Sequence, residues 1–235
     1  MSHPPPVAFV CAMPMELTPL SKRLQLRKTS INGVPLRSGT LGDRPVVALA
    51  TGMGTALATE ATERLLGAVT PERVVVFGIT GAVENETPIG ALVLPEVVVN
   101  SETGAEFHPT ALGGGTPHGT MWTTNVITPA HELPALRARG VVSLDMETAA
   151  IAACCEVRQI PWSVFRVISD RATDGTVVEE IFQLSNQDGT PNMPRVLRYV
   201  LRHPHHLPRM AALAKGAKLA TGRAADAAIA AVSAQ

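Results

Sequence analysis

The sequence predicts an α/β fold with a largely parallel sheet covered by helices on both faces, and three observations carry that expectation. Short β-branched runs alternate with helical stretches along the 235 residues. Apolar residues make up 46% of the chain, enough for one sizeable core, so a single domain over residues 1–235 is expected rather than two small ones. Polar and acidic residues follow directly on the apolar runs, at the strand ends where open α/β sheets collect ligands.

Each element has a local reason. Val7 to Ala12 reads as the first strand, and a helix follows Pro14, with Glu16 in the turn that favours negative charge. Val46 to Ala50 is a strand ending at Thr51-Gly52-Met53-Gly54, from which a helix runs over about Thr55 to Leu66. Val74 to Phe77 is a third strand, closed by a glycine turn over Gly78-Ile79-Thr80-Gly81-Ala82, and Ala91 to Val99 is a fourth. Ser101 to Thr120, rich in Gly, Thr, Pro and His, lacks periodicity and is expected to be a loop that contributes to a lid. Val141 to Leu144, Glu147 to Val157 and Trp162 to Ile168 then give strand, helix and strand. Their ends carry two acidic clusters, Asp145 with Glu147, and Ser169-Asp170 continuing to Asp174.

Composition excludes several classes. Twenty basic and 20 acidic residues cancel, which argues against a nucleic-acid binder. The three cysteines, Cys11, Cys154 and Cys155, sit in apolar segments without metal-ligand spacing and read as small core residues of a reducing compartment. The start, Met1 to Pro6, is not a secretory signal, and no apolar run reaches the ~20 residues of a membrane span, so the cytoplasm is expected. The charge balance nevertheless averages two unlike parts. From Arg195 to Arg223 there are seven Lys or Arg and no acid, leaving 13 basic against 20 acidic residues elsewhere, a net of −7. Residues 193–235 therefore form a basic helical tail in which Leu197, Val200, Leu201, Leu207, Met210, Leu213 and Leu219 mark a loose helical face. That tail either packs on the sheet with a solvated basic face or contacts an anionic membrane surface or partner.

The candidate motifs favour a small-molecule pocket. Gly52-Met53-Gly54 lets backbone amides approach an anion or a sugar, but Leu57 stands where a dinucleotide fingerprint needs its third glycine, and no Walker lysine follows. No cofactor is expected. Asp170, after a seven-residue apolar strand, is either a desolvated acid of raised pKa or a helix cap. Glu147 opens a helix in apolar company, which suits pairing with ligand hydroxyls. His203-Pro204-His205-His206 has no carboxylate or cysteine beside it, so no metal site is expected.

Together, Ala12-Met13-Pro14-Met15-Glu16, Thr51-Gly52-Met53-Gly54, Gly78-Ile79-Thr80-Gly81-Ala82, Asp145-Met146-Glu147-Thr148-Ala149-Ala150 and Arg166-Val167-Ile168-Ser169-Asp170 resemble the purine nucleoside phosphorylase and nucleosidase superfamily. The closest branch is that of the methylthioadenosine/S-adenosylhomocysteine nucleosidases. The segments stand in family order over residues 7 to 175. The resemblance implies a three-layer α/β/α domain around a twisted mixed sheet, cleavage of the N-ribosidic bond of a nucleoside, and a homodimer or larger assembly. It also implies roles: Asp170 protonates the leaving base, helped by Ser169, and Glu147 holds the ribose hydroxyls. Met146 packs on the sugar, Glu16 orients the attacking water, and Met13, Gly54, Thr80 and Gly81 complete the substrate site.

The residues bear on the acceptor as well. Phosphorylases of the superfamily place arginines at the first loop and before the glycine segment, whereas here Glu16, and Val76 with Phe77, stand at those places. Hydrolysis is favoured, with phosphorolysis kept open by Arg44 from a neighbouring subunit. No aromatic residue for stacking on the base is evident at Asn125-Val126-Ile127, leaving Phe107 or Trp122 as substitutes, and Ile79 replaces a smaller or polar residue. These departures also keep a non-catalytic nucleoside-binding protein in view. The tail resembles that of hopanoid-associated nucleoside phosphorylase-like proteins, which implies an adenosylhopane-like substrate as an alternative to a 5′-thio-nucleoside.

Overall fold

A computed structural model describes residues 4–172, 184, 186, 188, 190 and 192–235. Asp174, Gly189 and Pro191 lie outside the described residues. Strands β1 (Val7–Cys11), β4 (Arg44–Ala50), β5 (Arg73–Ala82) and β11 (Trp162–Arg171) form the centre of the sheet. All are rich in Val, Ile, Phe and Ala and buried on both faces, as strands covered from two sides must be. Around them lie β2 (Arg27–Ile31), β3 (Val34–Leu41), β6 (Leu92–Val93), β7 (Val97–Asn100), β8 (Glu106–Phe107), β9 (Thr120–Thr123) and β10 (Val141–Asp145). The order is β2-β3-β4-β1-β5-β10-β9-β7-β8, with β11 on β5 and β6 on β11. Five of the ten pairings are antiparallel, so the sheet is mixed rather than largely parallel.

Two helical layers cover it. Ala8, Val10, Val74, Val76, Val164 and Ile168 face α2 (Thr55–Ala68) and α4 (Thr148–Val157) through Ala58, Leu65, Ile151 and Cys155. Their sequence neighbours Val7, Phe9, Val75, Phe77, Phe165 and Val167 face α1 (Pro14–Arg23) and α6 (Leu207–Ser233) through Leu17, Leu20, Ala224 and Ala228. The strict alternation of side chains along a strand sends each set to its own layer. Helices α3 (Leu133–Ala138) and α5 (Met193–Arg202) complete the described set. All three cysteines are buried and free, as small core residues should be.

Strand β5 positions the site. Along one edge it pairs in parallel with β11 from Val74 to Ala82. The other edge is divided: β1 occupies it from Arg73 to Val76, and β10, antiparallel, only at Gly81 and Ala82. Between Val76 and Gly81 that edge has no strand beside it. The expected glycine turn at 78–82 is therefore a continuation of the strand, because β11 keeps hydrogen-bonding across it. The expected fourth strand is broken at Leu94-Pro95-Glu96 into β6 and β7, since a proline cannot donate to a ladder.

Other expectations change too. Residues 101–120 do not cover the cleft described below; they include β8, and Thr110 binds the Trp162 carbonyl and the Ser163 hydroxyl at the far end of β11. In the tail, Leu197, Leu201, Leu207 and Leu219 are exposed, and α6 docks instead through Gly216, Ala220, Ala224, Ala225, Ala228 and Ala231. Small residues let the helix lie close to the sheet. At Gly216 the approach is closest, since a Cβ there would overlap the Ser169 carbonyl oxygen.

Gly216→Ala should therefore destabilise the protein by about 1–3 kcal/mol, the usual cost of overpacking. At Gly222, on the same helix, a Cβ meets only Arg23 Nη2 at 3.7 Å, and Gly222→Ala should stabilise by about 0.5–1 kcal/mol through helix propensity. Urea unfolding of the two variants checks this pair of opposite signs.

Candidate active site

The gap beside β5 is filled by side chains. Glu16, in the first turn of α1, is fully buried, and its Oε1 accepts from the Ile79 amide at 2.8 Å, while Oε2 accepts from the Met13 amide at 2.6 Å. Arg166 of β11, also buried, donates through Nη1 to the Ile79 carbonyl at 3.1 Å. The peptide groups that a neighbouring strand would satisfy are thus bonded by a carboxylate and a guanidinium. Only glycine fits at position 78: its φ is +145°, and a Cβ would overlap the Glu16 carboxylate.

Arg166 also faces two acids at the end of β10. Its Nη2 donates to Asp145 Oδ2 at 2.8 Å and to Glu147 Oε2 at 3.5 Å, and its Nη1 lies 3.7 Å from Glu16 Oε1. Asp145 is saturated besides, accepting from the Thr123 hydroxyl, the Thr148 hydroxyl and the Thr148 amide, so it anchors the start of α4. Glu147 Oε1 accepts from the Gly54 amide at 2.9 Å. One guanidinium against three buried carboxylates cannot hold them all ionised at ordinary acidity. Burial pushes Glu16 up despite Arg166 and its amide donors. It pushes Glu147 up to about 8, with Asp145 adding to the rise and Arg166 opposing it. Burial alone would lower Arg166, but the three carboxylates outweigh it and hold the guanidinium protonated.

The other wall comes from the end of β11. There the register shifts between Ile168 and Asp170, a β-bulge that breaks strict alternation and lets Ser169 and Asp170 both line the same cleft. The Ser169 hydroxyl donates to Asp170 Oδ1 at 2.6 Å. Asp170 lies within the described end of the strand. The cleft between the walls has a volume of ≈ 300 Å³. Ala12, Ile79, Val126, Ile127, Leu144 and Met146 give it an apolar body, and Glu16, Glu147 and Asp170 are among its lining residues. Among its described lining residues Arg166 is the one cation, and its donors are already engaged.

The model of the phosphorylase superfamily matches residues 6–120 and 110–202. The chain belongs to that superfamily. The methylthioadenosine/S-adenosylhomocysteine nucleosidase of Mycobacterium bovis is 26% identical over 219 residues, covering 71% of this chain and 86% of that protein. Among solved structures, the Helicobacter pylori methylthioadenosine/S-adenosylhomocysteine nucleosidase superposes with a TM-score of 0.74 at 13% identity, covering both chains fully. The futalosine hydrolase of the same organism gives 0.70 at 13% identity, covering 96% of this chain and 97% of that one. These likenesses bear out the α/β/α layering around a mixed sheet.

Of the residues singled out in the sequence, Met13, Glu16, Thr80, Gly81, Met146, Glu147, Ser169 and Asp170 all line this cleft. Gly54 does not: its amide is taken by Glu147, so it acts by orienting that carboxylate, while Met53 beside it lines the wall. Thr80 gives its hydroxyl to the Leu144 carbonyl at 2.7 Å, which ties β5 to β10. Neither proposed aromatic substitute reaches the cleft. Phe107 packs on the core, and Trp122 lies under Arg139, 4.4 Å from ring centroid to guanidinium carbon. Arg44 is bonded to Gln235 of its own chain, away from the site. The imidazoles of His203, His205 and His206 do gather, with ring nitrogens within 4.8 Å, but they lie outside the cleft and pack with Tyr199 in the turn between α5 and α6.

Arg166 and Asp145 are the participants whose roles the sequence left open. The one sign of them was a charged residue inside an apolar strand and an acid directly after another.

A test follows from Glu147. Its folded pKa, about 8, stands above the ordinary 4.5, so the folded state keeps a proton that the unfolded chain releases, and stability falls as pH rises between those values. Glu147→Gln removes that titration. Wild type and variant should differ by a constant amount below pH 4.5, and the variant should then gain on wild type by up to about 1.4 kcal/mol per pH unit towards pH 8. Thermal unfolding of both proteins across that range reads the divergence.

Proposed function

We propose that the protein is a nucleosidase that hydrolyses the N-ribosidic bond of an adenosine-type nucleoside, with water as acceptor. The observation that carries this reading is the cleft itself, in which a buried carboxylate pair held by one arginine faces a carboxylic acid positioned by a serine hydroxyl. Asp170 gives a proton to the purine, at N7, so that the base leaves neutral. Electron density lost from C1′ leaves positive charge on the ribose, and the carboxylates of Glu16 and Glu147 stabilise it. Glu147 accepts hydrogen bonds from the ribose hydroxyls. Water adds to C1′ and passes a proton to Glu16, whose burial raises its basicity and suits it to that step. Solvent then returns one proton to Asp170 and removes one from Glu16.

Two features support water over phosphate. The cleft's one described cation is spent on three carboxylates, and Glu16 occupies the wall from which an acceptor approaches the ribose. The names of the similar nucleosidases point to adenosine carrying a 5′-thioether. Val126 supports that choice here, because it lines the cleft while 67% exposed and so extends apolar surface to the mouth. With no aromatic side chain among the described lining residues, apolar side chains such as Ile79 pack on the base, and Met146 packs on the sugar.

Incubation with methylthioadenosine, adenosylhomocysteine and inosine, with and without phosphate, should release adenine from the first two at equal rates in both buffers. Release that requires phosphate would make the protein a phosphorylase. Binding without any free base would make it a nucleoside-binding protein. Asp170→Asn should lose about 10²–10⁴-fold in kcat with little change in nucleoside affinity.

A further inference from the structure

We propose that α5 is a membrane-surface helix that lays its apolar face on an anionic bilayer. On one side of this ten-residue helix stand Met193, Leu197 and Leu201, 64%, 62% and 74% exposed, with Val196 and Val200 half-buried beside them. The spacing of four residues puts the three large side chains in a row. The opposite arc, at 100° per residue, carries Arg195, Arg198 and Arg202, all exposed. Apolar residues on one side and basic residues on the other are the pattern of helices that lie in the headgroup layer.

The molecule holds α5 by a different side. Tyr199 is buried, its hydroxyl 2.7 Å from His206 Nδ1 and its ring 4.8 Å from that of His203. This contact pins the helix to the turn before α6 and leaves the leucine row facing outward. A row of three large apolar side chains exposed together is unusual on a soluble surface and marks an interaction face. The helix is too short to cross a bilayer, and among the described residues no helix is long and apolar enough to do so.

Charge selects the occupant. From Met193 to Arg223 the chain carries seven Lys or Arg and no acid. A second copy seated on the same face would set its own Arg195, Arg198 and Arg202 against these, like charge against like. Anionic lipid satisfies both surfaces, acyl chains taking the leucine row and phosphates attracting the arginines. A helix is roughly 10 Å across, so even the far arginines stay within about one Debye length of the headgroups.

Co-sedimentation of the full chain with phosphatidylcholine vesicles, with and without phosphatidylserine, tests the assignment. Binding should need phosphatidylserine and weaken with salt. Replacing Arg195, Arg198 and Arg202 together by Gln should weaken it on the order of 100-fold, and Leu197→Ser with Leu201→Ser should weaken it at least about tenfold. Because Leu197 and Leu201 are exposed, their substitution should keep the wild-type unfolding temperature. Hydrogen exchange on the wild type, slowed over residues 193–202 by phosphatidylserine vesicles, reads the same contact without mutation. No binding to anionic vesicles, or binding indifferent to both sets of substitutions, overturns the proposal. Concentration-dependent dimerisation abolished by the leucine substitutions also overturns it and assigns the face to a second copy.

Discussion

The structure turns on a stretch of β5 that has lost its neighbour on one edge. Between the last pair with β1 at Val76 and the first with β10 at Gly81, the backbone of Gly78 to Thr80 still needs partners, and Glu16 and Arg166 supply them at Ile79. An unpaired buried peptide group costs as much as a lost hydrogen bond, so these two side chains are structural before they are chemical. Once buried, they need each other. Arg166 in turn draws Asp145 and Glu147 to the same point, joining β11, β10 and the start of α4. Removing one partner from such a buried pair typically costs about 3–5 kcal/mol, because the other charge is then stranded.

Chemistry and architecture therefore share atoms. The gap opens where the neighbouring strands diverge, which is where open α/β sheets place ligands. Its filling leaves raised-pKa carboxylates at the cleft wall, and such groups are suited to moving protons near neutrality. The acid on the facing wall obtains its position from a different device. The bulge after Ile168 lets two consecutive side chains share one cleft, so the hydroxyl of Ser169 reaches the carboxylate of Asp170.

Much of this was legible in the sequence where the signal was local. The apolar runs of β1 and β4, the proline at the start of α1 and the glycines before α2 mark those elements within a residue or two, while that of β11 marks its start but ends three residues short of Arg171. The convergence of Glu16, Glu147 and Asp170 followed from the rule for strand ends together with the family resemblance. Signals that depend on partners distant in sequence were lost. Gly78 and Gly81 read as a turn, because nothing local reveals that β11 will pair across them. Strand β2, Arg27-Lys28-Thr29-Ser30-Ile31, has too little apolar character to stand out, although the Asn32-Gly33 turn that follows is a strong hairpin signal. In the tail, large leucines suggested the packed face, whereas the closeness of α6 to the sheet requires alanine and glycine there.

One consequence of the three-to-one cluster concerns which molecules are left alone. Glu16, Asp145, Glu147 and Arg166 sum to two negative charges only when every acid is ionised, and the raised pKa values of Glu16 and Glu147 oppose that, so the negative field of the cleft grows as pH rises. A nucleoside enters such a cleft uncharged. A nucleotide carries its phosphates into the same negative field, which opposes its approach even before any contact is made. In the nucleosidase reading proposed above, adenine nucleotides are thereby disfavoured by charge rather than by shape.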